Sequence, residues 1–66
     1  MAVLKVIEIL SNSDKSWEDA AAKAVAHASK SVKNIKSVYM HEQSATVKDG
    51  KIDQYRVNVK ITFEVN

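Results

Sequence analysis

Residues 55–65 read Tyr-Arg-Val-Asn-Val-Lys-Ile-Thr-Phe-Glu-Val, an unbroken alternation of apolar and polar side chains. Successive residues of a strand point to opposite faces of a sheet, so this pattern predicts a strand with one apolar and one polar face. The apolar face has to be covered, whereas the polar face is where a ligand or partner would be met. The apolar face comprises Tyr55, Val57, Val59, Ile61, Phe63 and Val65, and the polar face comprises Arg56, Asn58, Lys60, Thr62 and Glu64.

The rest of the chain predicts one helix and two further strands. Ser16 is typical of a helix N-cap, with Asp19 at the acidic position of a capping box, and an alanine-rich apolar stripe anchored by Trp17 follows. Asp49-Gly50 is the favoured dipeptide of a two-residue hairpin turn. The predicted elements are a strand from Val3 to Leu10 buried on both faces, a polar loop at 11–15, a helix from Trp17 to Asn34, a strand at 36–48 and a strand from Ile52 onward.

These elements predict an α+β fold, a single domain of residues 1–66 in the order β-α-β-β. A helical crossover makes the first two strands parallel, and the third strand is inserted between them, which gives a three-stranded sheet of order 1-3-2 packed on one helix. The hairpin turn sets the register between strands two and three. The predicted apolar pairs are Val47–Ile52, Met40–Val59 and Val38–Ile61, and the predicted polar pairs are Gln43–Arg56, His41–Asn58, Tyr39–Lys60 and Ser37–Thr62.

Length and composition predict an oligomer. In a chain of 66 residues without cysteine, apolar burial and the entropy of ordering nearly cancel, so the missing stability has to come from like copies. The long hairpin also outreaches the helix and carries Val47 and Ile52 at its tip, which predicts contacts with neighbouring subunits. Dispersed basic residues and a net charge of +2 argue against a nucleic-acid partner, and the lack of a long apolar run argues against a membrane. The absence of cysteine fits a cytoplasmic protein.

Several strings of this sequence resemble the dodecin family. They are Lys-Val-Ile-Glu-Ile at 5–9, Ser-Asn-Ser at 11–13, Ser-Trp-Glu at 16–18 and Tyr-Arg-Val-Asn-Val-Lys-Ile-Thr-Phe at 55–63. The resemblance implies a hollow homododecamer built from trimeric sub-assemblies. It also implies a non-enzymatic protein that binds flavin (riboflavin, FMN or FAD) in stacked pairs at subunit interfaces, on the sheet face away from the helix.

The resemblance places two positions in the flavin site. Ser37 stands where flavin-binding dodecins have a stacking tryptophan, and Arg56 stands where they have a glutamine. Serine offers no π surface, and arginine cannot accept a hydrogen bond. The chain is therefore more similar to the branch of dodecin-like proteins that is associated with calcium. The candidate cofactor-binding residues are Ser37, Arg56, Tyr39, Gln43 and Lys60.

Two interpretations of four of these residues, Arg56, Tyr39, Gln43 and Lys60, stay open: a pocket for an anionic ligand, or hydrogen bonds and ion pairs between subunits. For a metal, the acidic residues do not form a calcium loop, so a site would have to be assembled across subunits. Ser37 with His41 lacks an orienting acid, so no enzyme is predicted. The leading hypothesis is a small-ligand storage protein that binds flavin; the alternative is a calcium-binding or purely structural assembly. The candidate acids are Glu8, Asp14, Glu42 and Asp53.

Overall fold

Three strands and one helix form the structure, a computed structural model that describes residues 2–65. The elements are β1 (Val3–Ser13), α1 (Trp17–Ala28), β2 (Ile35–Lys48) and β3 (Lys51–Val65). The sheet order is β1-β3-β2, and both outer strands are antiparallel to the central β3. The predicted α+β architecture and strand order are confirmed. Met1 and Asn66 of the predicted domain lie outside the described residues.

The helix is shorter than predicted, because it ends at Ala28 and not at Asn34. The Ser29 hydroxyl donates to the carbonyl of Val25 at 2.8 Å, and serine side chains that bond the backbone in this way weaken a helix. Asn34 adopts a left-handed conformation (φ 63°), and its carbonyl accepts the N–H of Glu64 at 3.0 Å. Asn34 is therefore a turn residue that fixes the connection between α1 and β2, and the helix cannot continue through its left-handed conformation.

Strand β1 departs from its prediction in length and in burial. It continues to Ser13, because residues 11–13 pair with residues 55–57 of the long central strand. Its side chains are also not buried on both faces: Leu4, Val6 and Leu10 are 54%, 57% and 67% exposed in the isolated chain. The helix covers part of one face only, at Ile7 and Ile9, since one helix can cover only one face of a three-stranded sheet.

The core lies between the apolar face of β3 and the alanine stripe of α1. Val57, Val59 and Ile61 have no exposed surface, and they face the buried Ala20, Ala24 and Ala28. Small side chains on the helix let its backbone lie close to the sheet. Trp17 is the large anchor at the start of the helix: its ring packs edge-on against Tyr55 at 5.0 Å, and its Nε1–H donates to the carbonyl of Ser44 at 2.8 Å.

The predicted register between β2 and β3 is confirmed at both ends of the strand pair and is wrong in the middle. The predicted pairs Ser37–Thr62, Val38–Ile61, Tyr39–Lys60, Met40–Val59 and Val47–Ile52 are confirmed, and Lys48 pairs with Lys51 next to the turn. Between them, an extra residue in β2 at His41 shifts the pairing by one, and an extra residue in β3 at Asp53 restores it. The middle pairs are therefore Glu42–Asn58, Gln43–Val57 and Ser44–Arg56, in place of the predicted His41–Asn58 and Gln43–Arg56.

The connection from β1 to α1 is held by a buried hydroxyl. The side chain of Ser13 is 1% exposed; it donates to Asp19 Oδ2 at 2.6 Å and accepts the N–H of Lys15 at 2.9 Å. Ser16 caps the helix by accepting the N–H of Asp19 at 2.9 Å, as predicted, whereas the Asp19 carboxylate bonds Ser13 and Lys23. The hydrogen bond from Ser13, with a smaller contribution from Lys23, lowers the pKa of Asp19 from its ordinary 3.8.

Removing the Ser13 hydroxyl is expected to raise the pKa of Asp19. The free energy of unfolding should then depend less on pH in the acid range where Asp19 titrates. A lowered folded-state pKa stabilises the protein above the unfolded value of 3.8, and this contribution disappears as the pH falls through the folded pKa. Ser13→Ala should thus be less stable than the natural chain near neutral pH, with a smaller difference in acid. Carboxyl NMR titration and thermal unfolding at several pH values test this. Ser31→Ala, at an exposed serine beyond α1, should change neither measurement.

Candidate functional site

The sheet face opposite α1, hereafter the open face, is the face that the helix leaves uncovered and the one on which the sequence predicts a ligand site. Paired residues of antiparallel strands point to the same side, so the register assigns every side chain to one face or the other. The open face comprises Leu4, Val6, Glu8, Leu10 and Asn12 from β1, Arg56, Asn58, Lys60, Thr62 and Glu64 from β3, and Ser37, Tyr39, Glu42 and Ser44 from β2.

An apolar row lies along one edge of the open face. It consists of the β1 residues Leu4, Val6 and Leu10, each more than half exposed, and Tyr39 on β2 is 63% exposed across the sheet from them. Large uncovered apolar side chains beside polar ones mark a surface that contacts another molecule. The polar residues of β3 therefore lie in a strip between the aliphatic row of β1 and strand β2, which carries Tyr39.

The structure brings three of the five predicted site residues together. Ser37 pairs with Thr62 and Tyr39 pairs with Lys60, so Ser37, Tyr39 and Lys60 share one end of the open face. Arg56 is six residues from Thr62 along β3, a separation of roughly 20 Å at 3.3 Å per residue. One flavin ring system cannot contact both Ser37 and Arg56 of the same chain. A ligand that contacts both positions of one chain would have to span that distance.

The two remaining predicted site residues have defined surroundings. Arg56 Nε donates to Asn12 Oδ1 at 3.0 Å, which directs the guanidinium toward β1. Gln43 pairs with Val57, a core residue, because of the extra residue at His41. Its side chain therefore belongs to the helix side of the sheet and is separated from the other four by the sheet itself. Ser44 takes the open-face position opposite Arg56.

Asn58 is a polar residue that sequence reasoning did not select. It lies at the middle of the open face, with Leu10 opposite on β1 and Glu42 opposite on β2. Its Oδ1 atom is enclosed, and no donor reaches it within the described residues. A buried acceptor without a donor is costly, so this oxygen needs a cation, a water or a donor from another molecule. The available signal was an asparagine, a poor strand former, at the centre of the best strand.

The acidic residues predicted as metal ligands are spread over the molecule. Glu8 pairs with Lys60, Glu42 pairs with Asn58, Asp14 lies in the loop before α1, and Asp53 is the extra residue of β3 near the hairpin tip. Within residues 2–65, no group of three or more His, Cys, Asp or Glu side chains is placed to hold a metal ion. Within one copy of residues 2–65, no single place thus gathers enough carboxylate oxygens for calcium, which prefers six to eight oxygen ligands.

The chain has the β-α-β-β fold. The helix covers one face of the three-stranded sheet, and the other face, which carries aliphatic and polar side chains, is open. The Dodecin family model matches residues 3–66, so the chain belongs to the dodecin family. No helix within residues 2–65 combines the length and the apolar character needed to cross a bilayer.

Individual proteins that are similar to this chain are also dodecins. A calcium dodecin from Mycobacterium tuberculosis is 38% identical over 65 residues, which cover 98% of this chain and 92% of the relative. A crystal structure described as the calcium-chelating calcium dodecin from the same organism, with a novel calcium-binding site, is 42% identical with a TM-score of 0.84, covering 97% and 91% of the two chains. A Thermus thermophilus dodecin variant is 23% identical with a TM-score of 0.94, covering 100% and 98%, and supports the fold alone.

Proposed function

We propose that this protein is a non-enzymatic homododecamer, built from trimers, that holds a small ligand where open faces of different subunits meet. The uncovered Leu4, Val6 and Leu10 support an assembly, because a soluble chain of this size does not keep such a row in water. The separation of Ser37 from Arg56 supports ligand sites shared between subunits. Light scattering on the purified protein should give twelve times the 7.3 kDa chain mass, and a monomer would contradict the proposal.

Calcium is the ligand that the open face supports best. The observation that carries this choice is the enclosed Asn58 Oδ1, which has no donor and lies opposite the carboxylate of Glu42. Amide and carboxylate oxygens are the ligands that calcium prefers, and two copies facing each other would double the number available. The similar proteins described as calcium dodecins support the same ion.

Calorimetric titration tests calcium binding directly. The natural chain should release or take up saturable heat with calcium at concentrations up to about 1 mM, and much less with magnesium, which requires a tighter octahedral site. Glu42→Gln, which keeps shape and removes the charge, should weaken calcium binding at least tenfold. Glu18→Gln removes an acid from the exposed first turn of α1 and should leave binding unchanged. Absence of bound calcium in the natural chain, both in the titration and in equilibrium dialysis, would exclude this ligand.

Flavin is a second candidate because an exposed aromatic ring lies on the open face. Tyr39 is 63% exposed, and its partner across the sheet is Lys60, an ammonium that suits the phosphate of FMN. Tyrosine offers a stacking surface that Ser37 lacks. Titrating the protein into riboflavin and FMN separates the candidates: quenching of flavin fluorescence supports flavin, and unquenched fluorescence at micromolar protein rules it out.

A further inference from the structure

A concave surface lies between α1 and the outer edge of β1. It is a groove of about 410 Å³, within the size range of ligand and side-chain pockets. Its floor is apolar, and its helical wall is basic. The groove is lined by Ile9, Leu10 and Ser11 of β1 and by Lys23, Ala24, Ala26, His27 and Lys30 on the side of α1.

The basic wall of this groove is not neutralised from within. Lys23 bonds Asp19 at 3.3 Å, and the other ion pair found within residues 2–65 joins Lys36 to Glu64, so neither His27 nor Lys30 has an acidic partner among the described residues. No carboxylate is among the lining residues. An occupant that brings apolar side chains for the floor and a negative charge for the wall would satisfy both surfaces.

The hairpin tip of this chain offers exposed apolar side chains and one carboxylate, that of Asp49 at its turn. Strands β2 and β3 are 14 and 15 residues long and the molecule extends 51 Å, whereas the 12 residues of α1 cover only about 18 Å. Trp17 ties the start of the helix to Ser44, so the turn at residues 49–50 projects beyond the helix. Nothing in residues 2–65 covers Val47 or Ile52, which are 70% and 53% exposed.

The tip is a two-faced ribbon. Val47 and Ile52 are paired and share one face, while the paired Lys48 and Lys51 occupy the other. Asp49 and Gly50 both have positive φ (54° and 73°), the conformation of a tight hairpin turn, which places Asp49 at the apex between the faces. When the apolar face points into the groove, the two lysines point away from the basic wall and the Asp49 carboxylate is at its level.

We infer that the hairpin tip of one copy docks into the β1–α1 groove of the next copy. Val47 and Ile52 pack on Ile9 and on Ala26 of the helical wall, and Asp49 pairs with Lys30 or His27. The contact joins two different surfaces, so it is heterologous, and a rotation of one third of a turn per copy would close it into a ring of three. It supplies the joint of the proposed trimers and rests on the proposed function only in requiring an assembly; it does not involve the ligand site on the open face.

Engineered cysteines test the contact, because the natural chain contains none. A tagged Val47→Cys chain and an untagged Ala26→Cys chain are refolded together and oxidised. The expected product is a disulfide-linked pair of one tagged and one untagged chain. Val47→Cys refolded with Lys33→Cys, an exposed position beyond α1, should give no such pair. Equal cross-linking of both mixtures, or linkage of Val47→Cys chains mainly to one another, would overturn the inference.

A matched pair of tip variants tests the same contact without cross-linking. Val47→Ser with Ile52→Ser should lower the mass measured by light scattering by at least threefold, with unchanged far-ultraviolet circular dichroism because both residues are exposed. Lys48→Ser with Lys51→Ser, on the opposite face of the tip, should keep the full mass. An unchanged mass and calcium affinity in the first variant would overturn this inference and leave the proposed function intact. A lowered mass in that variant, together with no calcium binding by the natural chain, would support this inference and contradict calcium as the ligand.

Discussion

Replacing Ser37 with tryptophan and Arg56 with glutamine is expected to raise the affinity for riboflavin or FMN by about 5- to 150-fold. This range corresponds to the roughly 1–3 kcal/mol that stacking of an aromatic side chain on a planar ring contributes. The glutamine adds an acceptor for the ring edge, which arginine cannot provide. Fluorescence quenching titrations of the natural chain and the double variant measure the gain. Both positions lie on the open face, so neither substitution enters the core.

The geometry of the open face supplies controls for this experiment. Gln43→Trp introduces the same ring on the helix side of the sheet and should give no gain, because Gln43 pairs with the buried Val57. Since Ser37 and Arg56 of one chain are roughly 20 Å apart, the gain should require an intact assembly and should vanish in a chain kept monomeric. A double variant with no gain would mean that the subunits do not bring these two positions to one ligand.

Truncating Ile61 to alanine is expected to destabilise the fold by about 2–5 kcal/mol. Ile61 has no exposed surface and lies in β3, where it packs against the alanine stripe of the helix. A short chain has little stability beyond its assembly, so a loss of this size should unfold the isolated subunit. Chemical denaturation at several protein concentrations measures it, since the stability of an oligomer depends on concentration.

A graded substitution at the same position separates packing from nonspecific damage. Ile61→Val removes one methylene group and should cost only about 0.5–1.5 kcal/mol, with the assembly preserved. The ratio of the two effects is the useful quantity, because both variants have the same backbone and the same assembly partners. Equal stability of Ile61→Ala and the natural chain would contradict the assignment of Ile61 to the core.

Local sequence signals located the ends of the hairpin and not its middle. The Asp49-Gly50 turn sets the pairs nearest to it, and the alternation of β3 sets Ser37–Thr62 to Met40–Val59, which the structure confirms. The extra residues at His41 and Asp53 carry no turn signal of their own. Because each strand has one extra residue, the two shifts cancel, and the predicted register is correct at both ends. Between them, Gln43 pairs with Val57 and lies on the helix side of the sheet, not on the predicted open face.

The family resemblance identified the positions of Ser37 and Arg56, and the face that carries them follows from the alternation of β3. Their separation within one chain follows only from the register. Asn58 was counted among the polar residues of β3, but the enclosure of its Oδ1 depends on how neighbouring side chains settle around it. The groove beside α1 is likewise made by β1 and the helix together, and no single segment encodes it.

By itself, the sequence determined the order of elements, the apolar face of β3 and the alanine stripe of α1, because periodicity and turn dipeptides act over a few neighbouring residues. Only the tertiary structure decided where α1 ends, how far β1 extends and which residues face Asn58. Those features depend on pairing between distant segments, such as Ser13 with Tyr55 and Asn34 with Glu64. Backbone hydrogen bonds between such segments outweigh the local preferences of the residues that make them.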